Sequence, residues 1–218
     1  MTSRLLRFNI VVCLILLGIL CFSCHPASAE YVVEMPVLAA IRSNTNGVFE
    51  MLMIWWDQKQ DPEPVQLQLI IGGVRIGEAK TSAMAQAFAY AVARTPDIRH
   101  TGTVSVRGIA YAPANSDGPS SGAAMAVGFI ALFKGDRLQR GIALTGTFEP
   151  GGRIGLVGSI PDKMRAAARE GYRTILVPTG QTYGTNWNLN QLGMELNMTV
   201  KEVDTIDQAY ELMTGGRI

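Results

Sequence analysis

The stretch SDGPSSGAAMAVGFIALF, residues 116–133, decides how the rest of the chain is arranged. It opens with the turn-forming tripeptide D-G-P and continues into an apolar run of mostly small residues that is too long for a typical strand. The pattern predicts a loop that enters a buried helix. The hydroxyls of Ser120 and Ser121 would then lie at the helix start, where unpaired backbone N–H groups and the helix dipole favour a developing negative charge.

The first 29 residues have the pattern of an export signal. Two arginines precede an apolar run at residues 8–23, and the A-S-A that follows suits signal cleavage. At about 1.5 Å per residue the run reaches about 24 Å, short of a bilayer core of about 30 Å. We therefore predict cleavage after Ala29, one domain at residues 30–218, and a periplasmic or extracellular location. Two alternatives, an uncleaved anchor at residues 8–23 and a lipoprotein through Cys24, also place the domain outside the cytoplasm.

The composition of the predicted domain excludes several classes of function. Without the leader, 17 basic residues face 18 acidic ones, so charge gives no reason to expect nucleic acid or an anionic lipid surface as a partner. The three cysteines, Cys13, Cys21 and Cys24, all lie in the leader. The domain therefore has no disulfide, thiol nucleophile or cysteine metal site, and we expect neither a metal nor a cofactor.

A serine becomes a nucleophile only when a base takes its proton, and the domain offers few bases. His100 is its one histidine, in a polar stretch that predicts a solvated loop, which nearly excludes a Ser-His-Asp triad and a histidine zinc site. Among the five lysines, Lys163 stands apart. It lies in a predicted helix, residues 161–170, where Arg165 and Arg169 form the solvated face and Lys163 shares a row with alanines.

A lysine that acts as a base near neutral pH must be withdrawn from water. Burial would have to lower its pKa from about 10.4 to about 7 or 8. A carboxylate close to the amine would oppose that change, and Asp117, three residues before Ser120, is the candidate for it. The residues alone leave this conflict open.

Outside this stretch, strand and helix patterns alternate irregularly, which predicts an α+β fold of mixed layers. Besides the helix within residues 116–133, the predicted strands are residues 31–41, 47–56, 65–71, 103–110, 141–148, 153–157, 174–177 and 199–203, and the predicted helices are residues 82–94, 161–170, 189–196 and 206–213.

Residues 117–122, D-G-P-S-S-G, resemble the D-G-P-S-A-G signature of the proteolytic domain of Lon proteases, with Ser120 at the position of the nucleophile. Lys163, 43 positions later, matches the catalytic lysine of the family. Thr145, in the tripeptide L-T-G, matches the threonine that orients the lysine amine. The resemblance is strong over residues 103–178.

This resemblance implies the α+β fold of the Lon proteolytic domain, which is related to the ribosomal protein S5 domain 2-like fold. It also implies a serine endopeptidase with a Ser/Lys dyad. Three departures are Ser121, where an alanine is common, Thr147, where many members carry a glutamate, and residues 159–161, which alter the second glycine region of the family. The catalytic pair implied by the resemblance is Ser120 and Lys163, and the supporting residues are Thr145, Asp117, Gly118, Pro119, Ser121 and Gly122.

Lon enzymes commonly carry an ATPase module of the AAA+ type, whereas these 218 residues contain no G-x-x-x-x-G-K-[ST] motif. We therefore expect ATP-independent cleavage of peptides or already unfolded proteins. The family usually forms rings of six, so the resemblance also implies a homo-hexamer.

Two other functions stay open at this point. A Lon-like domain without catalysis would serve as a peptide-binding or assembly module. Residues 119–124 are also similar to the Gly- and Ser-rich phosphate loop of small-molecule kinases with a related fold. The presence of both Ser120 and Lys163 argues against the first alternative, and export argues against the second.

Overall fold

The structure of the protein, a computed structural model, describes residues 31–40, 47–60, 62–70, 75–109 and 115–218. The predicted export signal, the alternative anchor at residues 8–23 and Cys24 lie outside these ranges, as do the last residues of three predicted strands. Within the described ranges, every helix is too short or too polar to span a bilayer.

The main sheet has four strands: β1 (Val32–Ala40), β2 (Gly47–Asp57), β3 (Gln66–Ile70) and β5 (Thr103–Ile109). Their order is β1-β2-β5-β3, with β3 parallel to β5 and the other pairs antiparallel. Alternate residues of β2, such as Leu52 and Ile54, are fully buried, because successive side chains of a strand point to opposite faces.

Smaller sheets make up the rest of the β structure in the described ranges. β7 (Ile142–Leu144), β10 (Thr174–Pro178) and β13 (Thr199–Val203) form a parallel sheet in the order β13-β10-β7. The remaining pairs are a hairpin of β8 (Thr147–Glu149) and β9 (Arg153–Gly155), a hairpin of β11 (Tyr183–Gly184) and β12 (Trp187–Asn188), and the parallel pair β4 (Arg75–Ile76) and β6 (Asn115–Ser116).

The described residues contain helices α1 (Glu78–Arg94), α2 (Gly122–Lys134), α3 (Ile160–Arg169), α4 (Leu189–Leu196) and α5 (Ile206–Thr214), and a 3₁₀ turn at Pro119–Ser121. Helix α2 is buried along residues 122–133 and packs against β1, β2, α1 and α5. This confirms the predicted loop that enters a buried helix, and the mixture of strands and helices confirms the α+β class.

Two apolar clusters form the core of the part of the chain that the structure describes. The first surrounds α2 and includes the buried face of the main sheet. The second joins α3 to β10 through residues such as Ile160, Met164 and Ile175. Each cluster therefore holds one of the two helices that the sequence links to catalysis.

Two predicted elements need correction. Helix α1 begins at Glu78, four residues before the predicted start. The predicted strand at residues 141–148 is divided into β7 and β8 by Thr145 and Gly146. The Thr145 N–H donates to the carbonyl of Leu176, whereas the Gly146 N–H donates to the carbonyl of Ser120. The chain thus leaves the parallel sheet at this point to pair with the turn that carries Ser120.

His100 lies in a loop, as predicted, but the prediction that it is solvated needs correction. The His100 ring is half-buried and packs edge-on against Phe133, with 4.5 Å between the ring centroids. Its Nε2 lies 2.8 Å from Thr95 Oγ1. Burial lowers the pKa of His100, so this side chain belongs to the packed edge of the first cluster.

Candidate active site

The turn that carries Ser120 is held to the chain after β7 by backbone hydrogen bonds. Gly118 has a φ of 113°, in the region that glycine adopts without strain, and Pro119–Ser121 forms the 3₁₀ turn that leads into α2. The Gly146 N–H donates to Ser120 O at 2.9 Å, and the Ala123 N–H donates to Gly146 O at 3.1 Å. Ser120 itself is half-buried, so its backbone is fixed while its side chain is only partly enclosed.

Gly122 is required by close packing at the start of α2. A Cβ at this position would lie 2.9 Å from the backbone nitrogen of Phe148 in β8, which is closer than real Cβ contacts. Ser121 beside it is only 5% exposed. These two residues of the signature therefore pack the turn against the β8–β9 hairpin.

Lys163 is a buried cation on α3. Its side chain is 2% exposed, and it shares the inner face of the helix with Ala166 and Ala167, while Arg165 lies outside. This confirms the face assignment made from the sequence. Burial lowers the pKa of Lys163 to about 8. At pH 7 about a tenth of the molecules would then carry a neutral Lys163 amine. An ordinary lysine, with a pKa of about 10.4, is almost fully protonated at that pH.

Thr145 connects the base to the turn that carries the nucleophile. It is fully buried, and its Oγ1 accepts a hydrogen bond from Lys163 Nζ at 3.0 Å. The same hydroxyl donates to the carbonyl oxygen of Ser120 at 3.4 Å. One hydroxyl, between β7 and β8, thus bonds both the amine of Lys163 and the backbone carbonyl of Ser120.

Gly47, at the start of the predicted strand of residues 47–56, packs against the backbone beside Lys163. A Cβ on Gly47 would lie 2.0 Å from the carbonyl oxygen of Asp162 and 2.9 Å from the backbone nitrogen of Lys163. The first residue of β2 therefore lies directly against the first turn of α3. The carboxylate of Asp162 pairs with Arg165 at 3.3 Å.

Asp117 is bonded to the first turn of α1. Its Oδ1 accepts from the backbone N–H of Lys80 at 3.1 Å and from the Gly118 N–H at 2.8 Å. The lowered pKa of Lys163 has burial as its cause. The amine of Lys163 is therefore desolvated, which is the first of the two opposing effects, burial and a nearby carboxylate, that the sequence left open.

Sequence reasoning missed a buried ion pair near this turn. Lys80 Nζ donates to Glu50 Oε2, and the two side chains are 2% and 0% exposed. Glu50 Oε1 has no hydrogen-bond partner within the described part of the chain. The sequence feature that could have predicted the pair is Glu50, a charged residue on the same face of β2 as the apolar Leu52 and Ile54.

A resident metal ion has no obvious ligands within the described ranges, which contain no group of three or more His, Cys, Asp and Glu side chains suited to one. The groups available for chemistry here are a hydroxyl, a buried amine and the start of a helix.

Comparison with known proteins relates most of the described chain to a protein family. The family model described as the Lon protease (S16) C-terminal proteolytic domain matches residues 76–214, which include Ser120, Thr145 and Lys163. Lon protease 2 of Syntrophobacter fumaroxidans is 28% identical over 155 residues, 66% of this chain and 19% of the relative. Lon protease of Citrifermentans bemidjiense is 38% identical over 71 residues, 31% of this chain and 9% of the relative. Lon protease of Haemophilus influenzae is 30% identical over 94 residues, 42% and 11% respectively. The chain thus spans less than a fifth of the length of these relatives.

Proposed function

The chain belongs to the family of the Lon protease C-terminal proteolytic domain, a family of serine peptidases, and from this membership we propose that it is an endopeptidase that uses a Ser120/Lys163 dyad. The observation that carries the proposal is the Lys163 amine, which is buried, has a pKa of about 8 and is hydrogen-bonded to a threonine that also contacts Ser120. Such an amine can accept a proton near neutral pH.

The proposed reaction assigns one role to each residue. Ser120 Oγ attacks the peptide carbonyl carbon, and its proton passes to the neutral amine of Lys163. The oxygen that gains negative charge lies near the start of α2, where the helix dipole stabilises it. The lysine ammonium then gives its proton to the leaving amine. Water then attacks the resulting ester while the neutral amine of Lys163 takes its proton. The bond between the acyl carbon and Ser120 Oγ breaks, the lysine ammonium returns the proton to Ser120 Oγ, and the acid product leaves.

We propose peptides and unfolded proteins as substrates and no requirement for ATP. The absence of a G-x-x-x-x-G-K-[ST] motif from these 218 residues supports this. Hydrolysis of casein or a fluorogenic peptide should be equally fast with and without ATP and magnesium. A rate that depends on ATP would overturn this part of the proposal.

We also propose export and assembly into a homo-hexamer. The leader pattern of residues 1–29 supports export, and membership of a family that usually forms rings of six supports the hexamer. Sequencing of the mature N-terminus after expression in a bacterium should begin at Glu30, and an intact leader on cytoplasmic protein would contradict export. Light scattering gives the number of subunits, and a monomer at working concentration would contradict the ring.

The dyad is tested by casein hydrolysis with Ser120→Ala and Lys163→Arg. Either variant should lose about a thousandfold or more in kcat, because the hydroxyl is missing in one and the arginine cannot give up its proton in the other. Lys201→Arg, at an exposed position on β13, is the control and should keep wild-type activity. The wild-type rate should rise with pH through about pH 8. Equal activity in all four proteins would remove the dyad, whereas no hydrolysis by the wild type would favour the non-catalytic module.

A further inference from the structure

Helix α1 begins without a capping side chain of its own. The residue before its first turn, Gly77, has φ −78° and ψ 171°, the extended conformation of an N-cap residue. A Cβ on Gly77 would lie 2.2 Å from Cγ of Asp117. The carboxylate of Asp117 therefore occupies the space that the side chain of an ordinary N-cap would enter.

Asp117 also makes the hydrogen bond of an N-cap. Its Oδ1 accepts from the N–H of Lys80, the third residue of α1, which is the donor that N-cap side chains satisfy. The same oxygen accepts from the N–H of Gly118, next to the 3₁₀ turn with Ser120. A negative charge at the start of a helix is also favoured by the helix dipole.

The end of α1 that receives Asp117 is itself fixed. The side chain of Lys80 is buried and pairs with Glu50 of β2. Next to it, Ala83 Cβ lies 3.6 Å from the position that a Cβ of Gly122 would take. The donor for Asp117 thus belongs to a residue that is held by the sheet and lies beside the start of α2.

We propose that Asp117 is a positioning residue, which caps α1 from the loop of the nucleophile and so fixes Ser120 relative to Thr145 and Lys163. The inference rests on the proposed peptidase function. Asp117 acts through Ser120 and needs no contact with the substrate or with the lysine amine.

The test compares Asp117→Ala, Asp117→Asn and a matched control, Asn188→Ala. Asn188 caps α4 with one oxygen that accepts from two backbone N–H groups, as Asp117 does for α1 and Gly118. Asp117→Ala and Asn188→Ala should each lower the melting temperature by about 2 to 4 °C. Only Asp117→Ala should lower kcat, by about tenfold or more, because a displacement of about 1 Å at a nucleophile is costly.

Asp117→Asn retains an oxygen acceptor of the same shape and should keep kcat within about threefold of wild type, with an unchanged midpoint in the pH–rate profile. If Asp117→Asn loses as much activity as Asp117→Ala, or if the midpoint moves, Asp117 acts by its charge and the capping role is wrong. Wild-type kcat in Asp117→Ala would also overturn it.

Hydrogen exchange gives a readout that does not need activity. The amides of Gly118, Ser120, Ser121 and Gly122 should exchange at least about tenfold faster in Asp117→Ala than in wild type or Asn188→Ala. If the wild-type chain cleaves no substrate, the proposed function fails, and this measurement still decides the positioning role. Should Asp117→Ala not fold, Gly77→Ala replaces it, because the new Cβ displaces the carboxylate. The same acceleration is expected, and unchanged exchange in the variant measured would refute the inference.

Discussion

At the scale of single residues, the burial of Lys163 has a cost that can be measured. The pKa of this lysine is about 8 in the folded chain and 10.5 when it is free. The unfolded chain therefore binds more protons between these values, and stability rises with pH across this window. Below about pH 8 the folded protein carries the full cost of a buried cation.

We predict that Lys163→Met is more stable than wild type at pH 7, by about 1 to 3 kcal/mol, because the buried charge is replaced by an apolar chain of similar length. The difference should shrink as the pH rises from about 8 to 10.5. Urea denaturation at pH 7, 8.5 and 10 measures it, with the exposed Lys201→Met as the control for general charge effects. A Lys163→Met protein that is less stable than wild type at pH 7 would contradict the prediction.

Thr145 is the second residue with a testable role. Thr145→Val keeps the shape of the side chain and removes the acceptor of Lys163 Nζ and the contact with Ser120. We predict a fall in kcat of about tenfold to a hundredfold, since the amine loses its orientation. Thr145→Ser retains the hydroxyl and should keep most of the activity. Steady-state kinetics on a fluorogenic peptide decides, and equal kcat for the valine and serine variants would show that the hydroxyl is dispensable.

At the scale of elements, the helix starts show what sequence could and could not predict. Helices α4 and α5 were predicted to begin at the residues where they do begin, and both carry their own caps, Asn188 and Thr205. The start of α1 was missed by four residues, because its cap acceptor is Asp117, 40 positions after Gly77. Capping rules read local sequence, so a cap supplied by a distant loop is invisible to them.

The residue immediately before helix α3 has a strained backbone conformation. Ser159 precedes it with φ 55° and ψ 35°, a left-handed conformation that costs a residue with a Cβ about 1 to 2 kcal/mol. The sequence marked this position as a departure from the second glycine region of the family. We predict that Ser159→Gly stabilises the fold by about 0.5 to 1 kcal/mol, after allowance for the greater freedom of glycine in the unfolded chain.

Thermal unfolding would measure this gain as a rise in melting temperature of about 1 to 4 °C. Ser82→Gly is the matched control, because Ser82 is an exposed residue inside α1 and glycine there should destabilise by about 0.5 to 1 kcal/mol. A loss of stability in Ser159→Gly would show that the left-handed conformation carries no penalty at this position.

At the scale of the whole molecule, the site depends on two separate parts of the core. Ser120 lies in the 3₁₀ turn that leads into α2, and α2 lies in the first apolar cluster. Lys163 belongs to α3, which packs in the second cluster. Thr145, where the chain leaves β7 for β8, is hydrogen-bonded to the amine of Lys163 and to the backbone carbonyl of Ser120. The resemblance implied the bond between Thr145 and the lysine amine, and the apolar patterns predicted the fold class. The break at Thr145 and Gly146 could not be predicted, because it is set by hydrogen bonds to Leu176 and Ser120, which are distant in sequence.

The buried ion pair of Glu50 and Lys80 joins β2 of the main sheet to α1. Substitutions in this pair therefore test how strongly the sheet and the helix stabilise each other. Removal of either partner breaks a buried ion pair, so Glu50→Leu or Lys80→Met alone should cost about 3 to 5 kcal/mol of unfolding free energy. The double variant removes both charges and also the unpartnered Glu50 Oε1. It should therefore lie within about 1 kcal/mol of wild type or be more stable. Urea denaturation of the four proteins gives the coupling energy. Single variants that each cost less than about 1 kcal/mol would mean that the pair is solvated in solution, and the sheet and α1 would then be held together by apolar packing alone.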